Sequence, residues 1–329
     1  MNDLSAEERM LIRGEISVEE PSRGWYPVLV RQERLWWRFF GEKKFSEPFF
    51  FDTVFALDQE KSLQTSFDQL EKFGEALEPT AIIFHVSRCG STLLSQMLAS
   101  APECIVMSEP PVIDSILRRH YEGGEQGETE GMLRRAVSAL GQKRFLDERH
   151  FFLKLDSWHV MSLPLFLRAF PDTPFIFLYR SPGEVIASHG RQRGRQMVPG
   201  LVDAAMPLFD FDLPEPGDLE MYCVKMLERF FGAACTHADE LMLVNYRQLP
   251  GIVWEELSEL LGIEFSPERI AAMQSRASLH SKKSEPFCGD PPAGVDCGPT
   301  LDADYARLER MRLEQNLFHS TPEIRNHFS

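Results

Sequence analysis

A chain of 329 residues with 43% hydrophobic and 26% charged side chains has the composition of an ordinary globular protein with a sizeable core. Its 35 Lys and Arg against 50 Asp and Glu leave a formal charge of −15. That balance argues against a nucleic-acid partner, which needs clustered cations to neutralise phosphates, but leaves room for a small anion in a pocket of opposite local field.

The N-terminus beginning at Met1 has neither the basic start nor the apolar run of a secretory signal. No stretch approaches the roughly 20 apolar residues of a membrane span. Six cysteines, Cys89, Cys104, Cys223, Cys235, Cys288 and Cys297, form no CxxC pair, so a reduced, cytoplasmic protein is expected. Cys288 and Cys297 share a Pro/Gly-rich loop, where a bridge or a metal site stands as an alternative to free thiols.

Residues 25–55 are dense in aromatics, among them Trp25, Tyr26, Trp36, Trp37 and Phe45, and are broken by Gly24, Gly41 and Pro48. Short strands and turns are expected, with the rings as core packing or as a wall for a substrate. Leu63, Phe67, Leu70 and Phe73 recur at helical spacing, which predicts an amphipathic helix over 59–77. Ala81–Val86, Phe151–Leu155, Phe175–Tyr179 and Leu241–Tyr246 are continuous apolar runs separated by helical segments. The pattern predicts an α/β fold of three layers, helix, mainly parallel sheet and helix. Ligands bind such sheets outside the carboxyl ends of the strands, here after Val86, Leu155 and Tyr179.

The first of those ends is the most informative. Ser87, Arg88, Cys89, Gly90, Ser91 and Thr92 link a strand to a helix beginning near Ser91. The free N–H groups of a helix start form an anion site, Gly90 allows close backbone approach, and Ser91, Thr92 and Arg88 add donors. A helix cap beside a surface Arg is the plainer alternative. A Walker A loop requires Lys after its last glycine, and none follows Gly90.

At the third strand end, Ser181, Pro182 and Glu184 suit the start of a helix with a Ser-x-x-Glu capping box. Arg180 then sits at the strand end and Ser188 within the helix. Residues 190–218 form a long Gly/Pro-containing stretch, either a functional lid or disordered.

These blocks resemble the P-loop sulfotransferases that use 3′-phosphoadenosine 5′-phosphosulfate (PAPS). Arg88, Cys89, Gly90, Ser91 and Thr92 align with that family's 5′-phosphosulfate loop, Ser87 replacing its usual Pro and Cys89 its Ser. Arg180, Pro182 and Ser188 match the spacing of its 3′-phosphate element, and Tyr246 stands at a position near the adenine. Arg247 and Gln248 replace the family's acidic pair. The resemblance covers about 80–265 and implies a P-loop NTPase-like fold over one domain, 1–329. Within it, 1–75 would be an aromatic-rich N-terminal extension, 80–265 the nucleotide-binding core and 266–329 a C-terminal segment of helix and loop, in which Lys282 and Lys283 would close over the nucleotide.

The implied activity is sulfonate transfer from PAPS to a hydroxyl acceptor, a small molecule, carbohydrate or peptide, without a metal. Arg88 would serve the leaving phosphate and Glu109 would be the base, since related sulfotransferases carry a catalytic Glu in a similar segment. His85 and His159 are rival bases, and Lys154 and Asp156 lie at the end of the second strand. Two competing classes remain: a magnesium-dependent P-loop kinase or nucleotidase, with Asp156 in a Walker B-like position, and a non-catalytic binder of the same nucleotide.

Overall fold

The computed structural model describes residues 5–17, 20–58, 60–72, 76–202, 206, 214–215, 217–279 and 295–319. Its N-terminal part holds helix α1 (Ala6–Leu11), strands β1 (Glu15–Ile16), β2 (Trp25–Arg31) and β3 (Arg34–Phe39), helix α2 (Phe50–Phe55) and strand β4 (Lys61–Thr65). The strands form one sheet in the order β1-β4-β3-β2, with β2/β3 and β3/β4 antiparallel and β1/β4 parallel.

The helix expected over 59–77 is therefore corrected to β4 and a 3-10 turn at Phe67–Lys72. Trp37 and Leu63 face each other across β3 and β4, and burial of that pair outweighs a spacing that also fits a helix. The aromatic cluster is core: Tyr26, Phe40, Phe45 and Phe50 touch one another with ring centroids 5.0–5.5 Å apart. Phe50 and Phe51 lie in α2, a helix in a segment read as strands and turns.

The second sheet is parallel. It begins with β5 (Ala81–His85), helix α3 (Ser91–Ala99) and β6 (Cys104–Ser108), followed by helices α4 (Pro111–Tyr121) and α5 (Gln126–Leu140). Strand β7 (His150–Lys154), helix α6 (Leu163–Ala169), strand β8 (Phe175–Tyr179) and helix α7 (Pro182–Arg191) come next. Helix α8 (Leu219–Thr236), strand β9 (Met242–Asn245), helices α9 (Glu256–Leu260) and α10 (Pro267–Ala277), and the long α11 (Pro299–His319) complete the order. The strand order is β6-β7-β5-β8-β9, with every neighbouring pair parallel.

This is the expected α/β arrangement, a parallel five-stranded sheet flanked by helices. β5, β7 and β8 are almost wholly buried, as a sheet covered on both faces requires. The chain moves from β5 to one side and returns across it from β7 to β8, so the order reverses between β5 and β8. A crevice opens at such a reversal, at the carboxyl ends of the strands. The N-terminal sheet packs on this layer through β2 against α4 and α5, where Val30 N–H donates to Ser115 Oγ at 2.9 Å and Gln142 Nε2 donates to Trp25 O at 2.6 Å.

Candidate active site

The loop after β5 is bent by its backbone. Ser87, Arg88 and Gly90 all have positive φ, at 71°, 50° and 89°, and Gly90 caps α3. Only glycine adopts such angles without steric cost, so Ser87 and Arg88 are held by their surroundings. Ser87 N–H donates to His85 Nδ1 at 3.0 Å, and Gln196 Nε2 donates to Ser87 Oγ at 2.8 Å. A Cβ on Gly90 would come within 2.7 Å of the Tyr246 ring, so the loop and the Tyr246 ring are packed in contact.

A cavity of about 400 Å³ lies over this loop, lined by Arg88, Gly90, Ser91, Thr92, Glu109, Arg180, Ser188 and Tyr246 among others. The two motifs, about ninety positions apart in the chain, meet directly: Arg88 Nε donates to Ser188 Oγ at 3.0 Å. The Arg180 guanidinium lies over the Tyr246 ring, 4.3 Å from its centroid. Cys89 is the exception among the expected ligands. Its side chain is fully buried beneath the loop with Sγ on Leu178 O, and burial pushes its thiol up to about 11. The capping box is also corrected. Ser181 makes no side-chain cap, and the Glu184 carboxylate that would complete the box instead accepts from Arg180 Nε at 3.3 Å.

Glu109 has φ 57° and donates its N–H to Lys154 O at 2.7 Å. That turn, directly after β6, brings its carboxylate onto Lys154 Nζ. Lys154 is wholly buried, with Phe49 5.0 Å from Nζ. Burial alone would raise the Glu109 carboxyl, but the Lys154 charge and His85 outweigh it and hold the group well below the usual carboxylate range. A raised value, expected for a base, is not what this pairing gives.

The rival bases are otherwise engaged. His85 Nδ1 accepts from Ser87, so Nε2–H faces Leu155 O at 3.0 Å; burial lowers its pKa and favours this neutral form. His159 is 1% exposed and its Nε2 contacts Asp114 Oδ1 at 3.0 Å.

Asp156 lines the cavity beside Glu109. Burial, followed by the charges of Glu109 and Asp114, pushes its carboxyl well above the ordinary value. Donor atoms of Asp114, Asp156 and His159 lie within 4.8 Å of one another, the one such group among the described residues. The Asp114 oxygens already accept from Arg118 Nε, Trp158 Nε1 and His159, so a cation there would have to displace those partners.

Sequence reasoning missed the far wall. Gln192, Arg193, Gly194, Arg195 and Gln196 line the cavity from the segment after α7. An Arg at every second position from Arg191 to Arg195, separated by Gln192 and Gly194, is the signal the sequence carries for it. Lys282 and Lys283 lie outside the described residues, as does Cys288.

No family model matches the chain, and no curated protein matches it. Among solved structures it is similar to a sulfotransferase from Mycobacterium avium, with 15% identity and a TM-score of 0.45 over 75% of this chain and 78% of that one. It is similar to a sulfotransferase from Mycobacterium tuberculosis, at 15% identity and a TM-score of 0.40, covering 71% and 77%. A sulfotransferase from Alicyclobacillus acidocaldarius follows at 13% identity and 0.37, covering 72% and 96%.

Proposed function

We propose that the chain binds PAPS in the cavity between β5 and β8 and transfers its sulfonate to a hydroxyl acceptor. The observation that carries this reading is the contact of Arg88 with Ser188. It joins a helix-start anion site to a second Arg- and Ser-bearing strand end in one cavity, as a nucleotide with phosphates at both its 3′ and 5′ positions requires. Arg88 and the Gly90–Thr92 turn serve the leaving phosphate, with Arg180 and Ser188 on the 3′-phosphate and Tyr246 beside the base.

In the reaction the acceptor oxygen forms a bond to sulfur while the bond from sulfur to the phosphate oxygen breaks. The electron pair leaves with the 5′-phosphate, where the Arg88 charge is worth most in a site shielded from water. The acceptor proton goes to Glu109, which Lys154 keeps ionised at neutral pH; a weak base that is always available suits a step dominated by leaving-group departure.

Calorimetry with 3′-phosphoadenosine 5′-phosphate (PAP) and with ATP plus magnesium tests the reading. PAP should bind, and Arg180→Ala should weaken it about 10- to 100-fold, as for a charge-assisted contact. Binding of ATP with magnesium but not of PAP would favour the kinase class instead.

A further inference from the structure

The turn between β5 and α3 places a hydroxyl, Ser87 Oγ, at the wall of the nucleotide cavity. The Ser87 N–H is spent on His85 Nδ1 at 3.0 Å, so that group is not offered to an anion. Two positions on, the Cys89 side chain is buried beneath the loop with Sγ on Leu178 O. Of these two side chains, only that of Ser87 belongs to a residue lining the cavity.

The direction of the hydroxyl is set by a residue 109 positions later in the chain. Gln196, in the short turn Arg195–Met197, donates from Nε2 to Ser87 Oγ at 2.8 Å. A hydroxyl has one hydrogen, and an oxygen that accepts from an amide keeps that hydrogen for another partner. Among the described residues no carbonyl or carboxylate accepts it. Gln196 is itself buried, so its amide is held in one place by packing.

The surroundings of Gln196 fit this pose. Gly194 has φ −76°, a value open to any residue. A Cβ there would nevertheless lie 2.7 Å from Gln196 Oε1 and 3.1 Å from Nε2. Glycine at 194 therefore makes room for the amide rather than bending the chain. The Gly194 N–H donates to His189 Nδ1 at 3.1 Å, which anchors the turn on α7, one residue after Ser188. Gln196 thus reaches the phosphate loop from a turn tied to the helix that carries the second motif.

We infer that Ser87 Oγ donates to the 5′-phosphate and that Gln196 is the positioning residue that aims it. The inference rests on the sulfotransferase reading for the identity of the anion. It adds a donor directly before Arg88, in a loop where the Cys89 side chain supplies none.

Calorimetry with PAP and with adenosine 3′-monophosphate, which lacks the 5′-phosphate, separates this donor from the rest of the site. Ser87→Gly removes the hydroxyl while easing the positive φ. It should weaken PAP about tenfold or more, as for a hydrogen bond to a charged group. Gln196→Met should weaken PAP about three- to tenfold, because the hydroxyl remains but is no longer aimed. Gly194→Ala keeps Gln196 but crowds its amide, and should fall in the same range. The Ser87→Gly, Gln196→Met double variant should bind PAP within about twofold of Ser87→Gly alone. Adenosine 3′-monophosphate should bind every variant within about twofold of the parent.

Parental PAP affinity in Ser87→Gly, or equal losses for the two nucleotides, would overturn the assignment of the hydroxyl. Additive losses in the double variant would show that Gln196 does not act through Ser87. If the parent binds no PAP, the nucleotide reading falls instead, and inorganic pyrophosphate decides whether Ser87 is an anion donor. Pyrophosphate should bind the parent about tenfold more tightly than Ser87→Gly; equal or absent binding would overturn the inference.

Discussion

Lys154 and Glu109 form an ion pair whose two halves come from adjacent strand ends; the lysine has no access to water, while the carboxylate is half-buried. Removing the lysine leaves the half-buried Glu109 charge uncompensated, at a cost below the roughly 3–5 kcal/mol of a fully buried pair. Lys154→Met should therefore lower the melting temperature and, by removing the nearest positive charge, raise the Glu109 carboxyl. The acid limb of the rate profile should then move toward neutral pH. An unchanged melting temperature together with an unmoved limb would show that the pair does not set the state of Glu109. At Gly90, both the φ of 89° and the Cβ approach of 2.7 Å to Tyr246 oppose a side chain. Gly90→Ala should cost on the order of 1–3 kcal/mol and weaken PAP binding, because the Tyr246 ring must move; calorimetry and thermal melts report the two effects separately.

At the scale of elements, α11 ties down the strand ends that carry the second motif. Glu309 on α11 accepts from the Tyr179 hydroxyl at the end of β8 and from Asn245 Nδ2 at the end of β9, and Arg312 completes the cluster. Arg180 and Tyr246 follow those strand ends immediately. Glu309→Ala should destabilise the protein by about 1–3 kcal/mol through the orphaned donors and weaken PAP binding several-fold, although residue 309 does not line the nucleotide cavity. Full nucleotide affinity in that variant would show that α11 does not position the site. None of this clamp was legible in the sequence, since Glu309 lies in a polar helix with no local pattern linking it to residues 130 positions earlier. The strands β5, β7, β8 and β9 were legible because burial on both faces writes itself as unbroken apolar runs. β6 was not, because Cys104–Ser108 mixes Cys, Met and Ser with only two branched aliphatics. The Arg88 loop and the Arg180 turn were visible from residue types and spacing. Their contact, and the burial of Cys89 away from it, depend on how two strands lie side by side.

For the molecule as a whole, part of the −15 charge is gathered in three neighbouring acids: Glu109 and Asp156 line the nucleotide cavity, and Asp114 lies beside Asp156 and His159. Their protonation opposes itself. For Glu109 and Asp114 burial raises the carboxyl, but Lys154 in one case and His159 with Arg118 in the other hold it well below the ordinary value. Their stabilising effect is complete above the ordinary carboxylate range and is lost as pH falls below about 4 toward their folded values. Asp156 is raised, first by burial and then by its two acidic neighbours, so the folded state retains a proton that the unfolded chain releases near pH 4. Its contribution has the opposite sign: stability falls as pH rises from about 4 toward the folded value, by at most about 1.4 kcal/mol per pH unit. Asp156→Asn abolishes that titration and leaves the other two. The difference in stability between variant and parent, from denaturant unfolding at pH 4 to 8, should therefore move in the variant's favour as pH rises and level off at the folded value of Asp156. A difference independent of pH would mean that residue 156 titrates as it does in the unfolded chain, and that its burial and its acidic neighbours do not govern its protonation.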